Sequence, residues 1–475
     1  MSEPIYLTED IRRIEKAAGG VTPSLMERAG AAAADLAATL LPDTGKNVLV
    51  LAGPGNNGGD ARIAARLLQE KFFRVSLASK TEEIPEGIRW NLVIDGLFGI
   101  GLTRPIEGGY AKLVEYVNAQ TCPVLALDIP SGLHSDTGQV LGCAVRATHT
   151  LTFIGLKPGL LTLDGPDCCG QVSVADLSSM DFSVKTAHGW VAGPTLFANI
   201  LKPRTRNFHK GMAGSLAVIG GAAGMAGAAL LAARAALKLG AGRVYAGLLE
   251  ELSLDPGAPE LMLRHPDDAL GLDLDAIVIG PGLGDGERAE TLLGAVLASD
   301  IPCVLDADAL NLIAGNEDLR KACARRSADT LLTPHPAEAA RLLAESTVQV
   351  QADRLKAARA LSDNLHAHVV LKGNGSIIVA RDGHWFINRS GNSGMSSAGM
   401  GDVLSGILGA LLAQKISGES ALVLGTHLHG CAADECVRAG TGPVGLTAGE
   451  LIDPARKLWN SWLVRHRQGE PSNRP

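Results

Sequence analysis

Apolar positions along this chain alternate between two patterns. Short, nearly continuous apolar runs bounded by Gly, Pro or Asp recur at Asn47–Ala52, Phe73–Ala78, Leu92–Asp95, Pro123–Asp128, His149–Phe153 and Gln171–Ala175. Runs of this length, apolar on both faces, predict strands of a buried parallel sheet. Between them lie stretches with helical spacing: a helix from Thr8, read as its N-cap, to about Ala18; Leu25–Leu40 behind a Ser24/Glu27 capping box; Asp60–Glu70; and Gly109–Ala119. Such alternation builds βαβ units. The pattern pauses at the basic, Pro-containing stretch Lys202–Gly211 and then restarts with Ser215–Ile219, Ala228–Leu239, Arg243–Leu248, Ala276–Ile279 and His368–Leu371. The chain therefore reads as α/β with two domains, 1–204 and 205–475. The turn residues of the halves differ, so it is not a repeat. The charged tail from Arg465 reads as frayed.

Bulk properties narrow the class. At 475 residues the chain exceeds one ordinary domain, and 57 glycines suit many tight strand–helix turns. A net charge of -7 argues against nucleic-acid binding. No apolar run reaches the ~18 residues of a membrane span. The eight cysteines contain no C-x-x-C pair and no signal peptide precedes them, which predicts a reduced, cytoplasmic setting. Cys431 and Cys436 read as buried small residues of a helix; the adjacent pair Cys168–Cys169 has no reading.

The second half carries the strongest chemistry. SSAGMGDVLSG, Ser396–Gly406, sets a small-residue turn and one carboxylate, Asp402, at the start of an apolar helix. Such a helix start offers free N–H groups to an anion, and Asp402 could take a proton from a hydroxyl as a phosphoryl group arrives. Packing alone is the competing reading, and no Walker P-loop string occurs. Upstream stand LKGNGS (Leu371–Ser376), where Lys372 meets phosphate or else caps a solvated hairpin; TPHPAEAARLL, where two prolines fix His335 before a helix; GPGLG (Gly280–Gly284); and VLDADALN (Val304–Asn311). Several strands thus end in Gly, Asp or His, where open α/β sheets bind ligands.

In the first half, GPGNNGG satisfies G-x-G-x-x-G, but the acidic residue of a dinucleotide fingerprint is missing after the next strand. The amides of Asn56 and Asn57, read as part of a turn, would bind a polar ring or a monovalent cation, or simply tolerate tight backbone angles. Asp95 and Asp128 each close a strand, before G-L-F-G-x-G and I-P-S-G. A strand-end carboxylate needs a partner, which an ion or a substrate hydroxyl would supply. No Cys/His cluster suggests zinc.

Taken together and in order, GPGNNGGD, D-x-x-F-G-x-G-L, D-I-P-S-G, H-K-G, G-P-G-L-G, D-A-D-A-L-N, T-P-H-P-x-E, L-K-G and G-M-G-D resemble the bacterial bifunctional NAD(P)H-hydrate repair enzymes over nearly the whole chain. The resemblance implies a Rossmann-like three-layer sandwich that epimerises hydrated NADH and NADPH (NADHX, NADPHX), followed by a ribokinase-like α/β domain that dehydrates the S epimer at the expense of ADP. It implies an epimerase substrate site at Asn56, Asn57, Gly58, Gly59, Asp60, Gly99, Ile100, Gly101, Leu102, Thr103, Arg104, Pro105 and Asp128, with Asp128 as acid/base. It implies K⁺ at Asn57, Asp95 and Ser131. In the dehydratase it implies substrate contacts at Ala228, Gly282, Gly284, His335 and Asp402, with Asp402 catalytic. ADP would lie on Lys372, Gly373, Asn374, Gly375, Ser376 and Gly401, with Mg²⁺ required. A homo-oligomer without nucleic-acid or membrane partners is expected. Two positions depart from the family pattern: Ala61 and Ala398 stand where Gly is common. The alternative is a small-molecule kinase with a non-catalytic N-terminal binding domain, since fold alone does not set function.

Overall fold

The computed structural model describes residues 3–41, 45–177 and 187–468. The chain divides into two compact units, residues 3–190 and 191–475. Strands are numbered along the chain: β1 Pro4–Ile5, β2 Asn47–Ala52, β3 Arg74–Ala78, β4 Leu92–Gly96, β5 Val124–Leu127, β6 His149–Phe153, β7 Gln171–Ala175, β8 Gly189–Val191, β9 Ser215–Gly220, β10 Arg243–Leu248, β11 Met262–Arg264, β12 Ala276–Ile279, β13 Cys303–Leu305, β14 Thr330–Leu332, β15 His368–Leu371, β16 Ser376–Val379 and β17 Trp385–Asn388.

The first unit is a three-layer sandwich around the parallel sheet β3-β2-β4-β5-β6-β7. Alternation along β2 sorts its residues between layers. Val48 and Val50 pack with the helices Thr8–Ala17, Leu25–Leu40 and Asn56–Glu70, while Leu49 and Leu51 pack with the helix Gly108–Asn118. The Ser24/Glu27 capping box forms as read. The structure departs from the sequence pattern at two helix starts. Leu7, not Thr8, caps the first helix, because both the amide and the hydroxyl of Thr8 are tied to Asp136 Oδ1 at 2.8 Å. Asn56 and Asn57 are not in a turn. Gly55 is the extended N-cap, and the two asparagines form the first helical turn, where free N–H groups suit polar side chains.

The second unit carries the sheet β17-β16-β15-β14-β13-β12-β9-β10-β11, parallel from β15 to β11, with the antiparallel strands β16 and β17 beside it. The helix Met400–Ala413 is buried along almost its whole length. It lies close because Gly406 and Gly409 lack side chains: a Cβ at Gly406 would stand 2.1 Å from the Ala232 carbonyl oxygen, and one at Gly409 would stand 2.4 Å from Val278 Cγ2. The hairpin β16–β17 was not read from the sequence. The final helix, Ile452–Gln468, runs past Arg465; the rest of that tail lies outside the described residues. Among the described residues no helix is long and apolar enough to cross a membrane. All eight cysteines are unpaired. Cys168 and Cys169 are buried in a short helix, where burial pushes both thiols up, so they serve as packing groups.

Candidate active sites

In the first unit, the C-terminal ends of β2, β4 and β5 converge. Gly53 and Gly58 are required by close backbone approach. A Cβ at Gly53 would sit 1.8 Å from the Leu97 carbonyl oxygen, and one at Gly58 would sit 1.9 Å from that of Gly53. Ala61 is fully buried in regular helix, so the methyl group that replaces a Gly there is harmless.

Asn57 Nδ2 donates to the carbonyls of Phe98 (3.0 Å) and Leu127 (3.1 Å), while its Oδ1 is buried without a partner. Beside this region Asp95 is fully buried. It accepts from Ser131 Oγ at 2.6 Å, Ser131 N at 2.8 Å and Leu97 N at 3.2 Å. Burial pushes its carboxyl up, and those three bonds oppose the shift. An orphaned amide oxygen, a carboxylate and a serine hydroxyl are hard oxygen donors, the set a monovalent cation takes.

Asp128 follows β5 with φ +65°, a left-handed conformation rare outside Gly and Asn. Its Oδ1 is gripped by Lys157 Nζ at 2.6 Å, and its Oδ2 accepts from Ile100 N at 3.3 Å. Lys157 is fully buried and spends its other donors on Thr152 Oγ1 (2.7 Å) and the Phe153 carbonyl (2.8 Å). A cavity of about 540 Å³ opens here, lined by Asn56, Asn57, Asp60, Gly99 to Arg104 and Asp128 among others. Gly58, Gly59 and Pro105 do not line it, and Gly59 instead packs on Met26. Sequence reasoning missed Lys157, Arg12 and Glu15, the last two also in the cavity wall. Lys157 lies in an ordinary loop string, and Glu15 shows only as a polar position of an amphipathic helix.

In the second unit, the Gly-rich segment after β9, Gly280–Gly284, Asp306, His335 and Lys372 all follow the C-terminal ends of parallel strands. Asp306, the first carboxylate of the VLDADALN motif, is the hub. It is buried and accepts from Thr333 Oγ1 (2.7 Å), Ser405 Oγ (2.7 Å) and Lys372 Nζ (3.0 Å). Burial raises its carboxyl; Lys372 and the two hydroxyls outweigh that and leave it below the usual range. Lys372 is mostly buried, not a solvated hairpin lysine. A Cβ at Gly401 would stand 3.0 Å from its Nζ, so the glycine makes room for the ammonium.

Gly399, with φ +87°, caps the helix Met400–Ala413, and Asp402 sits in its first turn. Burial first, then Asp306, push Asp402 up to about 7, while Lys372 opposes the shift. Such a carboxyl is poised to exchange a proton near neutrality. His335 is an N-cap: its Nδ1 accepts from the amides of Ala337 (3.1 Å) and Glu338 (3.2 Å), and Glu338 Oε2 accepts from its amide at 2.8 Å. Burial and Lys372 lower its pKa. Gly284 N donates to Asp308 Oδ2 at 2.8 Å. Ala228 lies, half-buried, in the first turn of the helix Ala226–Lys238. Arg354, buried, holds the 372–376 turn by donating to the carbonyls of Asn374 (2.5 Å) and Leu371 (3.2 Å).

Comparison with known proteins matches this division. Residues 216–454 fit the family model described as NAD(P)H-hydrate dehydratase, and residues 22–92 and 74–159 fit that of the YjeF-related protein N-terminus. The chain is 37% identical to the bifunctional NAD(P)H-hydrate repair enzyme Nnr of Escherichia coli, covering 99% of this chain and 96% of that one. It is 38% identical to the protein of that name from Coxiella burnetii, over 96% and 99%. A crystal structure of the ADP/ATP-dependent NAD(P)H-hydrate dehydratase of Bacillus subtilis, co-crystallised with ATP/Mg²⁺, matches at 28% identity and a TM-score of 0.51, covering 57% of this chain and 98% of that one. These relatives disfavour the alternative of a kinase with a non-catalytic N-terminal domain. With both models on one chain and such identity over its whole length, the protein belongs to the family of bifunctional NAD(P)H-hydrate repair enzymes.

Proposed function

We propose that the chain restores hydrated NADH and NADPH: residues 1–204 interconvert the two epimers, and residues 205–475 dehydrate the S epimer with ADP, giving AMP and phosphate. The observation that carries the reading is the pair of proton-handling centres on one chain, Asp128 clamped by Lys157 in one unit and Asp402 pushed up to about 7 in the other.

Hydroxide is a poor leaving group. In the dehydratase, Asp402 accepts the proton of the ring hydroxyl as its oxygen attacks the β-phosphoryl group of ADP and AMP leaves. The resulting phosphate ester then eliminates phosphate, and a proton lost from the neighbouring carbon completes the double bond. The free N–H groups of Gly399 to Gly401 face the moving charge. Lys372, paired with Asp306, balances it, and the 372–376 turn takes the nucleotide. Asp308 and Glu338 are the carboxylates that would hold the Mg²⁺ of the nucleotide, which would supply positive charge against the phosphates.

In the epimerase, the cavity beside Asp128 holds the hydrated ring, with Asp128 Oδ2 as its acid/base oxygen. K⁺ would be held by Asn57, Asp95 and Ser131, where the orphaned Asn57 Oδ1 supports it, and would supply positive charge beside the ring. The eight unpaired thiols support a reducing, cytoplasmic setting. The test is recovery of reduced-nicotinamide absorbance from mixed-epimer NADHX with Mg²⁺, K⁺ and either ADP or ATP. Complete, ADP-dependent recovery is expected. Recovery that stops partway refutes the epimerase, and none with either nucleotide refutes the whole reading.

A further inference from the structure

Asp60 lines the same cavity as Asp128 but lives in different surroundings. It is buried in the second turn of the helix Asn56–Glu70. Its carboxyl makes no hydrogen bond or ion pair with any described residue, whereas Asp128 has Lys157. It also lines an adjoining cavity of about 260 Å³, which shares Glu15, Asn56, Phe153 and Ile154 with the first. The charged groups on the walls around it are Glu15 and Arg12 from the helix Thr8–Ala17, Arg104 from the loop after β4, and Asp128, backed by Lys157, from the sheet; neither arginine bonds to its carboxyl. Two further cations, one on its own helix and one on the neighbouring helix, are committed to backbone carbonyls. Arg62 of its own helix donates to the carbonyls of Gly53 and Ala52, and Arg28 of the helix Leu25–Leu40 donates to those of Pro23, Thr22 and Leu177. An unpartnered carboxyl facing a carboxylate in a low-dielectric wall keeps its proton. Burial, then Asp128 and Glu15, push Asp60 up to about 8.

Resting on the epimerase reading above, we propose that Asp60 is a second catalytic residue of that site, the general acid that works with Asp128 as base. Two carboxyl groups in one cavity with different partners divide acid and base roles between them. The ring carbon that bears the added hydroxyl is bonded to the ring nitrogen. Asp128 takes the hydroxyl proton. The carbon–oxygen bond becomes a carbonyl as the carbon–nitrogen bond breaks, its electron pair passes to nitrogen, and Asp60 gives nitrogen a proton. After rotation, nitrogen attacks the other face of the carbonyl, returns its proton to Asp60, and oxygen recovers the proton held by Asp128. Both carboxyl groups end as they began, as an isomerisation requires. Glu15 is a poorer candidate because it is exposed and its proton exchanges freely with water.

The test uses the full chain and a single NADHX epimer without ADP, so that only interconversion is read, by NMR. Wild-type turnover is expected to fall as pH rises through about 8, where the acid loses its proton. Asp60→Asn keeps size and hydrogen bonding but cannot transfer a proton. It should lower kcat at least 100-fold with KM within about threefold, and abolish the alkaline limb. Asp60→Glu should restore part of kcat. An Asp60→Asn chain that interconverts epimers at the wild-type rate, or loses only KM, or keeps the alkaline limb, overturns the proposal. Should Asp60→Asn melt earlier than wild type, Asp60→Glu decides: recovered kcat supports the acid role, and none at a wild-type melting temperature overturns it. Asp128→Asn serves as reference. A wild-type chain that cannot interconvert epimers overturns the epimerase reading itself, which is a distinct result.

Discussion

Replacing Lys157 by Met tests whether the epimerase unit is built around an ion pair. Met matches the length of the lysine stem but removes an ammonium that is fully buried and hydrogen-bonded to Asp128 Oδ1, Thr152 Oγ1 and the Phe153 carbonyl at 2.6, 2.7 and 2.8 Å. Breaking a buried pair from one side costs about 3–5 kcal/mol, because the remaining charge is left unpaired. The Asp128 side chain keeps 13% of its exposure, which argues for the low end, while two acceptors that lose their donor move the figure back to the middle of that range. A loss of about 4 kcal/mol is expected, roughly a 1,000-fold gain in local opening. Asp128, held at φ +65°, already carries backbone strain and should open first. Hydrogen–deuterium exchange with mass spectrometry reads this directly. Peptides over 124–133 and 149–157 should lose about three decades of protection, while those over 303–306 should not change. Adding Asp128→Asn removes the stranded charge and suits a left-handed backbone, so the double variant should regain more than half of the loss. A change under tenfold, or a double variant no better than the single, refutes the reasoning.

Asp402→Asn should abolish ADP-dependent dehydration while calorimetry still shows ADP binding. Because the folded carboxyl is raised to about 7, its contribution to stability is full below the ordinary carboxylate range and is lost as pH rises through 7. The variant should therefore melt above wild type at pH 8.5, with the gap closing toward pH 5. Gly58→Ala forces a Cβ to within 1.9 Å of the Gly53 carbonyl oxygen and should cost the epimerase at least 100-fold in kcat/KM, with dehydration of the S epimer retained. Asp306→Ala strands the Lys372 ammonium, whose other partner, Glu338, is 4.0 Å away. Denaturant unfolding should show a loss of about 3–5 kcal/mol, and the KM for ADP should rise more than tenfold.

The strands were legible because a parallel sheet demands apolar runs where both faces are buried, as in β2 and β12, and apolar/polar alternation at its exposed edge, as in β7. The runs at Asn47–Ala52, His149–Phe153, Gln171–Ala175, Arg243–Leu248 and Ala276–Ile279 coincide with β2, β6, β7, β10 and β12. Hairpin β16–β17 was not read, since four-residue antiparallel strands leave too little pattern. The asparagine pair was misplaced because Gly and Asn signal a turn locally, while the helix there is imposed by packing of Gly58 and Gly59 against Gly53 and Met26.

Local pattern and the order of glycine- and carboxylate-bearing strand ends were enough to establish the α/β class and to point to Asp128 and Asp402. They were silent on the partners of those carboxyl groups. Lys157 lies 29 residues from Asp128, and Ser405 lies 99 from Asp306. Burial and charge pairing depend on which layers meet, and sequence spacing does not encode that over such distances. Only the packed sheets turn a loop lysine into a clamp, leave Asn57 Oδ1 without a partner and raise the carboxyl groups of Asp402 and Asp60 to about 7 and about 8, because each of these follows from removing water around groups that the chain keeps far apart in sequence.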